Sequence, residues 1–123
     1  MSKLVFVIED EKTSRVLISS FLRKVGVTQI VSSINGKHAL EKLKFQKPDL
    51  IISDWNMPEM NGLDFFRNAK KAGTLEDIPF LMVTSEDKKE KIMEAVQSGV
   101  KNYLIKPLSP EIFGDKVKSL LPN

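Results

Sequence analysis

Four short hydrophobic runs in this chain each end in a polar residue that can take part in chemistry, and this pattern restricts the fold strongly. The runs, each with the residues that follow it, are 5–8 with Glu9-Asp10, 50–53 with Asp54, 80–83 with Thr84-Ser85, and 103–105 with Lys106-Pro107. Apolar runs of this length, separated by helical patterns, are typical of buried strands in a parallel sheet. Because the carboxyl ends of parallel strands meet at one edge, we expect these polar residues to line one pocket.

The spacing of apolar and turn-forming residues predicts five strands that alternate with five helices. The predicted strands are 4–8, 28–32, 49–53, 80–83 and 102–105, and the predicted helices are 13–25, 35–45, 63–72, 88–98 and 110–121. Helical spacing groups Val16, Leu17, Phe21 and Val25 in the first helix and the inward-facing Ala39, Leu40 and Leu43 in the second. Right-handed crossovers then favour the order 2-1-3-4-5 in one doubly wound α/β domain, covering residues 1–123.

Composition excludes several classes of protein. The chain has no cysteine, so a disulfide, a thiolate nucleophile and a cysteine-ligated metal are all ruled out. No apolar run approaches the roughly 18 residues that a membrane span needs. The N-terminal residues lead directly into the first predicted strand and leave no room for a signal peptide. We therefore expect a soluble, cytoplasmic, single-domain protein that has no membrane partner.

The net charge of +3 raises the question of nucleic-acid binding. The lysines are spread along the chain, and pairs such as Lys70-Lys71 and Lys88-Lys89 are typical of solvated helix faces. The chain also has neither the Cys/His spacing of a zinc finger nor an aromatic RNA-binding strand. We therefore expect no nucleic-acid partner.

Three carboxylates are predicted to lie side by side, because the first and third strands are neighbours in the favoured order. They belong to Glu9, Asp10 and Asp54. Two unit charges about 4 Å apart repel by about 4 kcal/mol at an effective dielectric near 20, so a cation is expected among them. Mg²⁺ fits best, since it takes oxygen ligands and few carboxylates, and the absence of thiolates disfavours zinc. The alternative is that Glu9 and Asp10 only cap the first helix.

A metal-held carboxylate next to a lysine and a hydroxyl is suited to accept a phosphoryl group as an aspartyl phosphate. The metal and Lys106 would neutralise charge on the phosphoryl oxygens, and Thr84 could donate its hydroxyl to one of them. The backbone N–H groups after Asp54 and of Ser85 could donate as well. The alternative reading is a solvated threonine at a strand end and an ordinary surface lysine.

The segment Asp54-Trp55-Asn56-Met57-Pro58-Glu59-Met60-Asn61-Gly62, taken with Glu9-Asp10, Thr84, Tyr103 and Lys106-Pro107, resembles a response-regulator receiver domain of the single-domain chemotaxis type. The resemblance covers nearly the whole chain and implies a flavodoxin-like fold with a cis Lys106-Pro107 peptide bond. It implies these roles: Asp54 as phosphoacceptor, Thr84 as switch hydroxyl, Lys106 as phosphate partner, and Mg²⁺ bound by Glu9, Asp10, Asp54 and the backbone carbonyl of Asn56. Many relatives have Asp at the position of Glu9, which leaves open whether Glu9 contacts the metal directly or through water.

The resemblance also implies how a signal would leave the domain. Movement of Thr84 toward the phosphoryl group would let the ring of Tyr103 turn inward and alter a partner-binding face. That face would present Lys89, Ile92, Val96, Tyr103, Ile105 and Lys116. Apolar groups among lysines suit a partner with an amphipathic acidic segment, such as a flagellar motor switch protein.

The expected protein is therefore a monomeric switch without an output domain, in a two-component relay. It would take its phosphoryl group from a sensor histidine kinase (CheA-like), with a phosphatase as a further partner. It would not be an enzyme beyond catalysing its own phosphoryl transfer and dephosphorylation.

Four alternatives stay open at this point. One is a stand-alone phosphorelay or phosphate-sink receiver outside chemotaxis. A second is an aspartyl-nucleophile hydrolase, although Asn56 stands where a second carboxylate would be needed. A third is a flavin or nucleotide carrier, although Glu9-Asp10-Glu11 would repel phosphate at the loop after the first strand. The fourth is an adaptor that is never phosphorylated.

Overall fold

The computed structural model describes residues 3–121, in which five parallel strands alternate with five helices. The elements are β1 (Leu4–Ile8), α1 (Lys12–Lys24), β2 (Gln29–Ser33), α2 (Gly36–Leu43), β3 (Leu50–Ser53), α3 (Gly62–Lys71), β4 (Phe80–Thr84), α4 (Lys89–Ser98), β5 (Asn102–Ile105) and α5 (Pro110–Leu120). The strand order is β2-β1-β3-β4-β5. The predicted α/β architecture and order are confirmed, and the predicted element ends lie within two residues of the observed ones.

The register of the sheet brings the ends of distant segments to the same level. Ile8 at the end of β1 pairs with Ser53 at the end of β3. The Asp54 N–H then donates to the Ile8 carbonyl at 3.0 Å, and the Lys106 N–H donates to the Thr84 carbonyl at 2.8 Å. The residues that follow β1, β3, β4 and β5 therefore leave the sheet along one edge.

The core consists of two apolar layers, one on each face of the sheet. Alternate residues of β1 show the division, because successive side chains of a strand point to opposite faces. Phe6 and Ile8 pack with buried residues of α2, α3 and α4. Val5 and Val7 pack with those of α1 and α5. Each large apolar side chain that is fully buried contributes about 1.5–3 kcal/mol to the free energy of folding. Both layers therefore hold the strand ends in place.

Not every predicted core position is buried. In α1, Val16 is 60% exposed and Leu17 is 44% exposed, while Ile18 and Leu22 are almost fully buried. The expected grouping of Val16 and Leu17 on the apolar face of α1 was wrong, because the buried stripe runs through the next residues of the helix. In α2 the expected inward-facing residues do pack on the core, with Ala39 and Leu43 buried and Leu40 partly so.

The last strand also differs from expectation. β5 is only half-buried, and Ile105 at its end is 43% exposed. The expectation of a buried strand was wrong here, because β5 lies at the edge of the sheet and pairs only with β4. The expected cis peptide bond between Lys106 and Pro107 is present directly after it. Within residues 3–121, no helix combines the length and the apolar character needed to cross a membrane.

The loop after β3 packs closely against the start of α3 at Gly62. The Gly62 N–H donates to the Trp55 carbonyl at 2.7 Å. A Cβ atom at this position would overlap the backbone carbonyl oxygen of Asp54 and approach the Cα atom of Trp55 within 3.0 Å. A side chain at Gly62 would therefore displace the backbone of Asp54.

We predict that Gly62→Ala lowers the free energy of unfolding by about 3 kcal/mol, the upper end of the range for overpacking. Urea unfolding of purified protein measures this loss. Gly73→Ala is the matched control, since Gly73 has a positive φ of 77° but open space around it. It should cost about 1 kcal/mol from backbone conformation alone. An equal loss in both variants would contradict the steric account.

Candidate functional site

Three carboxylates converge where β1 and β3 end. One carboxylate oxygen each from Glu9, Asp10 and Asp54 lies within 4.8 Å of the other two. Glu9 is only 1% exposed, whereas Asp54 is half-buried and Asp10 is exposed. The predicted convergence is confirmed, and the cluster is open to solvent on the side of Asp10.

Lys106 supplies a positive charge to this cluster from the end of β5. Its Nζ lies 2.7 Å from Oε1 of Glu9 and 3.5 Å from Oδ2 of Asp54. The Lys106 side chain is 19% exposed, so water screens these ion pairs less than it would screen pairs on the surface. One ammonium group therefore bridges a buried carboxylate and the candidate phosphoacceptor.

The β1–α1 loop is fixed by hydrogen bonds in addition to this ion pair. Oε2 of Glu9 accepts from the Glu11 N–H at 3.2 Å. Nη1 of Arg15 donates to the carbonyl of Glu9 at 2.9 Å and to that of Asp10 at 3.1 Å. Both carboxylate oxygens of Glu9 thus have a partner within the protein, and the loop that carries Glu9 and Asp10 is held from α1.

Burial and the neighbouring charges shift the pKa values of the central pair. Burial raises the pKa of Glu9, the Lys106 hydrogen bond opposes this, and the charge of Asp54 raises it further. Burial alone would lower the pKa of Lys106, but the hydrogen bond to Glu9 and the charge of Asp54 outweigh it and raise that pKa above 10.5. Lys106 therefore stays charged over the whole physiological range.

The carboxylate of Asp54 is oriented by its own strand end as well as by Lys106. Its Oδ1 accepts from the Trp55 N–H at 2.7 Å, while Oδ2 faces Lys106. The hydroxyl of Ser53 donates to the Asp54 carbonyl at 2.8 Å. The N–H that follows Asp54 is thus directed at the carboxylate itself, and its expected donation to a phosphoryl group stays a prediction.

Thr84 and Tyr103, the two predicted switch residues, are joined through the backbone of Glu86. Thr84 is fully buried, and its Oγ1 accepts from the Glu86 N–H at 3.3 Å. The Tyr103 hydroxyl donates to the Glu86 carbonyl at 2.8 Å. Burial, and then the nearby acidic groups of Glu86, Asp54 and Asp87, raise the pKa of Tyr103 to about 12. The backbone of Glu86 therefore contacts both side chains.

Sequence reasoning missed the role of Trp55 in this region. Trp55 follows the candidate phosphoacceptor, is buried, and packs edge-to-face against Tyr103 with ring centroids 6.4 Å apart. The ammonium of Lys91 lies 5.7 Å from the Trp55 ring. The position of Trp55 directly after Asp54 was the only signal in the sequence, and it does not reveal that the ring reaches β5.

The other predicted site residues lie near this edge or on the neighbouring face. Asn56 and Ser85 are exposed in the loops after β3 and β4. The predicted partner face lies on α4, β5 and α5, with Lys89, Val96 and Ile105 exposed and Ile92, Tyr103 and Lys116 partly exposed. The roles of these residues stay predictions.

The donor set fits a magnesium ion. The three clustered side chains offer only carboxylate oxygens, which are hard ligands, and the exposed Asp10 leaves room for metal-bound waters. Two unit charges at the 4.8 Å limit of this cluster repel by about 3.5 kcal/mol at an effective dielectric near 20, so a divalent cation among the carboxylates would relieve their repulsion. These three carboxylates are therefore the side chains that would hold a Mg²⁺ ion at this edge of the sheet.

Comparisons with known proteins agree with this geometry. The family model described as response regulator receiver domain matches residues 5–118. Chemotaxis protein CheY1 of Helicobacter pylori is 34% identical over 118 residues, which cover 95% of each chain. Chemotaxis protein CheY of Pseudomonas aeruginosa is 34% identical over 116 residues, which cover 94% of each chain. The solved structure of the chemotaxis response regulator CheY4 of Vibrio cholerae has a TM-score of 0.88 and 30% identity, covering 98% of this chain and 100% of that one.

The family match spans nearly all of the described residues and includes every member of the carboxylate cluster, together with Lys106, Thr84 and Tyr103. The fold, the strand order and the sequence relationship lead to the same assignment. This chain belongs to the response regulator receiver domain family of two-component signalling.

Proposed function

We propose that this chain is a phosphorylation-controlled switch whose Asp54 accepts a phosphoryl group from a sensor histidine kinase. The observation that carries the proposal is the position of the Lys106 ammonium, which contacts both Asp54 and the buried Glu9. In the transfer, an Asp54 carboxylate oxygen forms a bond to phosphorus while the P–N bond of the donor phosphohistidine breaks. The imidazole of the donor leaves with the electron pair of that bond.

The residues around Asp54 would lower the barrier to this transfer mainly through charge. Asp10, Asp54 and the carbonyl of Asn56 would hold Mg²⁺, with Glu9 binding it directly or through water. When bound, this ion supplies positive charge to the phosphoryl oxygens. Lys106 would supply a second positive charge, and the Trp55 N–H is already directed at the Asp54 carboxylate.

The phosphoryl group would then change the resting contacts of Thr84 and Tyr103. It adds up to two negative charges and several acceptor oxygens at Asp54, which attract hydroxyl donors. If the Thr84 hydroxyl turns toward these oxygens, it loses the hydrogen bond that it now accepts from the Glu86 N–H. The Glu86 segment would move, and the Tyr103 hydroxyl that donates to its carbonyl would lose its present position. Two resting hydrogen bonds thus couple the acceptor to the outer edge of the sheet.

The output would be a change in affinity for a protein partner at the α4–β5–α5 face. Val96 and Ile105 expose apolar surface there, and Lys89 and Lys116 add positive charge. This combination suits an amphipathic acidic segment. The relatives named above are chemotaxis proteins. We therefore propose that the partner is a flagellar motor switch protein and that the kinase is the chemotaxis kinase. The switch would act in the cytoplasm. The protein would catalyse only its own phosphorylation and dephosphorylation.

We predict that purified protein gains one phosphoryl group from acetyl phosphate or phosphoramidate when Mg²⁺ is present, and that Asp54→Asn gains none. Asp10→Asn should be labelled at least about tenfold more slowly, since it removes one charge from the metal site. Intact-mass measurement over time gives both results.

Asp64→Asn is the matched control for labelling, because Asp64 is an exposed carboxylate in the first turn of α3. It should be labelled like the wild type. Equal labelling of wild type and Asp54→Asn would show that the phosphoryl group goes elsewhere and would remove the assignment of Asp54.

We also predict that the phenol of Tyr103 titrates near pH 12 in the folded protein. Its pKa is raised on folding, so the stabilisation it reflects is complete below its ordinary value of 10.0 and is lost as the pH rises toward about 12. Tyr103 is the only tyrosine in the chain, so ultraviolet absorbance of the phenolate reports it alone.

Circular dichroism measured in parallel shows the pH range over which the protein stays folded, and urea-unfolded protein gives the reference midpoint near 10. A folded-state midpoint near 10 would mean that the hydroxyl lies in water. The proposed coupling through Glu86 would then have no resting contact to break.

A further inference from the structure

Lys106 has a third partner that the proposed phosphoryl chemistry does not use. Its Nζ lies 3.3 Å from the hydroxyl oxygen of Ser14, in addition to its contacts with Glu9 and Asp54. A protonated lysine has three N–H donors and no acceptor. Three different acceptors therefore surround the ammonium, and Ser14 is the only one of them that carries no charge.

The Ser14 hydroxyl is itself oriented by α1. It donates to Oε1 of Glu11 at 2.9 Å, which directs its lone pairs away from Glu11 and leaves them available to Lys106. Glu11 is the residue at the start of α1, and its carbonyl accepts from the Arg15 N–H at 3.0 Å in the first turn. The hydroxyl is thus held by the same turn of helix that fixes the carbonyls of Glu9 and Asp10 through Arg15.

We propose that Ser14 is a positioning residue for Lys106, holding the ammonium between Glu9 and Asp54. The lysine side chain is a flexible four-carbon chain that keeps no fixed direction by itself. Its contact with Glu9 is 2.7 Å and its contact with Asp54 is 3.5 Å, so the second contact depends more on where the ammonium is held. A third fixed acceptor reduces the freedom of the ammonium to turn onto Glu9 alone.

A neutral anchor suits a group that must serve an incoming phosphoryl group. A carboxylate in place of Ser14 would compete for the charge of Lys106 and would repel the phosphoryl oxygens. The hydroxyl accepts one N–H and leaves the net charge of the site unchanged. This consequence for the rate rests on the proposed phosphorylation of Asp54, whereas the placement of the ammonium does not.

The placement is tested by NMR of lysine side-chain ammonium groups, in metal-free wild-type protein at low temperature and slightly acidic pH. A Lys106 ammonium held by three acceptors should exchange its protons slowly and give a sharp ¹⁵N–¹H correlation, assigned by its loss in Lys106→Arg. Ser14→Ala should broaden or abolish this correlation, and Ser14→Thr, which keeps the hydroxyl, should restore it. Thr13→Ala is the matched control, an exposed hydroxyl of the same turn, and should leave it unchanged.

Phosphorylation rates with acetyl phosphate and Mg²⁺ give the second readout. The rate should fall about five- to tenfold in Ser14→Ala, as expected for the loss of one hydrogen bond of ordinary strength. Ser14→Thr should stay within about twofold of wild type. Circular dichroism and urea unfolding check that each variant is folded. If Ser14→Ala does not fold, Glu11→Ala replaces it, because it removes the acceptor that orients the hydroxyl and leaves Ser14 in place.

The outcomes separate this inference from the proposed function. A wild-type Lys106 signal that is absent, or one that is equally sharp in Ser14→Ala, would overturn the positioning role. An unchanged rate in folded Ser14→Ala would do the same. If the wild type gains no phosphoryl group at all, the proposed function fails. The NMR comparison still decides whether Ser14 holds the ammonium of Lys106 in place.

Discussion

The contact of Lys106 with Glu9 and Asp54 is the interaction on which the rest of the site depends. One oxygen from each of three carboxylates lies within 4.8 Å of the other two, and one of these side chains, Glu9, is buried. A buried charge without a partner is strongly destabilising. Lys106, brought by β5 from the far end of the chain, supplies that partner and leaves the exposed Asp10 side free for a cation. The same ammonium also contacts Asp54, the proposed phosphoacceptor.

The sheet topology makes this contact possible. Because β1 and β3 are neighbours, the residues after Ile8 and Ser53 emerge together. β4 and β5 continue the same edge, so Lys106 reaches across toward Glu9. Gly62 lets the loop after β3 turn back tightly against the Asp54 backbone. The site is therefore assembled by strand order and one close backbone contact, while the loops supply the individual side chains.

Most of the fold and the central site could be predicted from the sequence, since both follow from the order of strands and the residues that end them. The convergence of Glu9, Asp10 and Asp54 is an example. Burial was predicted less well, because helical spacing alone does not show that Val16 and Leu17 lie outside the buried stripe of α1. A short apolar run likewise gives no sign of whether its strand lies at the edge of the sheet, as β5 does.

Some side-chain contacts between distant segments could not be predicted from the sequence. The hydroxyl of Ser14 reaches Lys106 across 92 positions of the chain, and Glu86 joins Thr84 to Tyr103 through its backbone. These contacts depend on side-chain rotamers and on loop geometry, which leave no periodic pattern in the residues. They are nevertheless the contacts on which the proposed lysine anchor and the proposed coupling of Thr84 to Tyr103 rest.

The most direct test of this account is a calorimetric titration of the purified protein with Mg²⁺. We predict one ion bound per chain, with affinity weakened about tenfold or more in Asp10→Asn and in Asp54→Asn, and unchanged in Asp64→Asn. Equal affinity in wild type, Asp10→Asn and Asp54→Asn would contradict the claim that the three clustered carboxylates, balanced by Lys106, form a site for Mg²⁺.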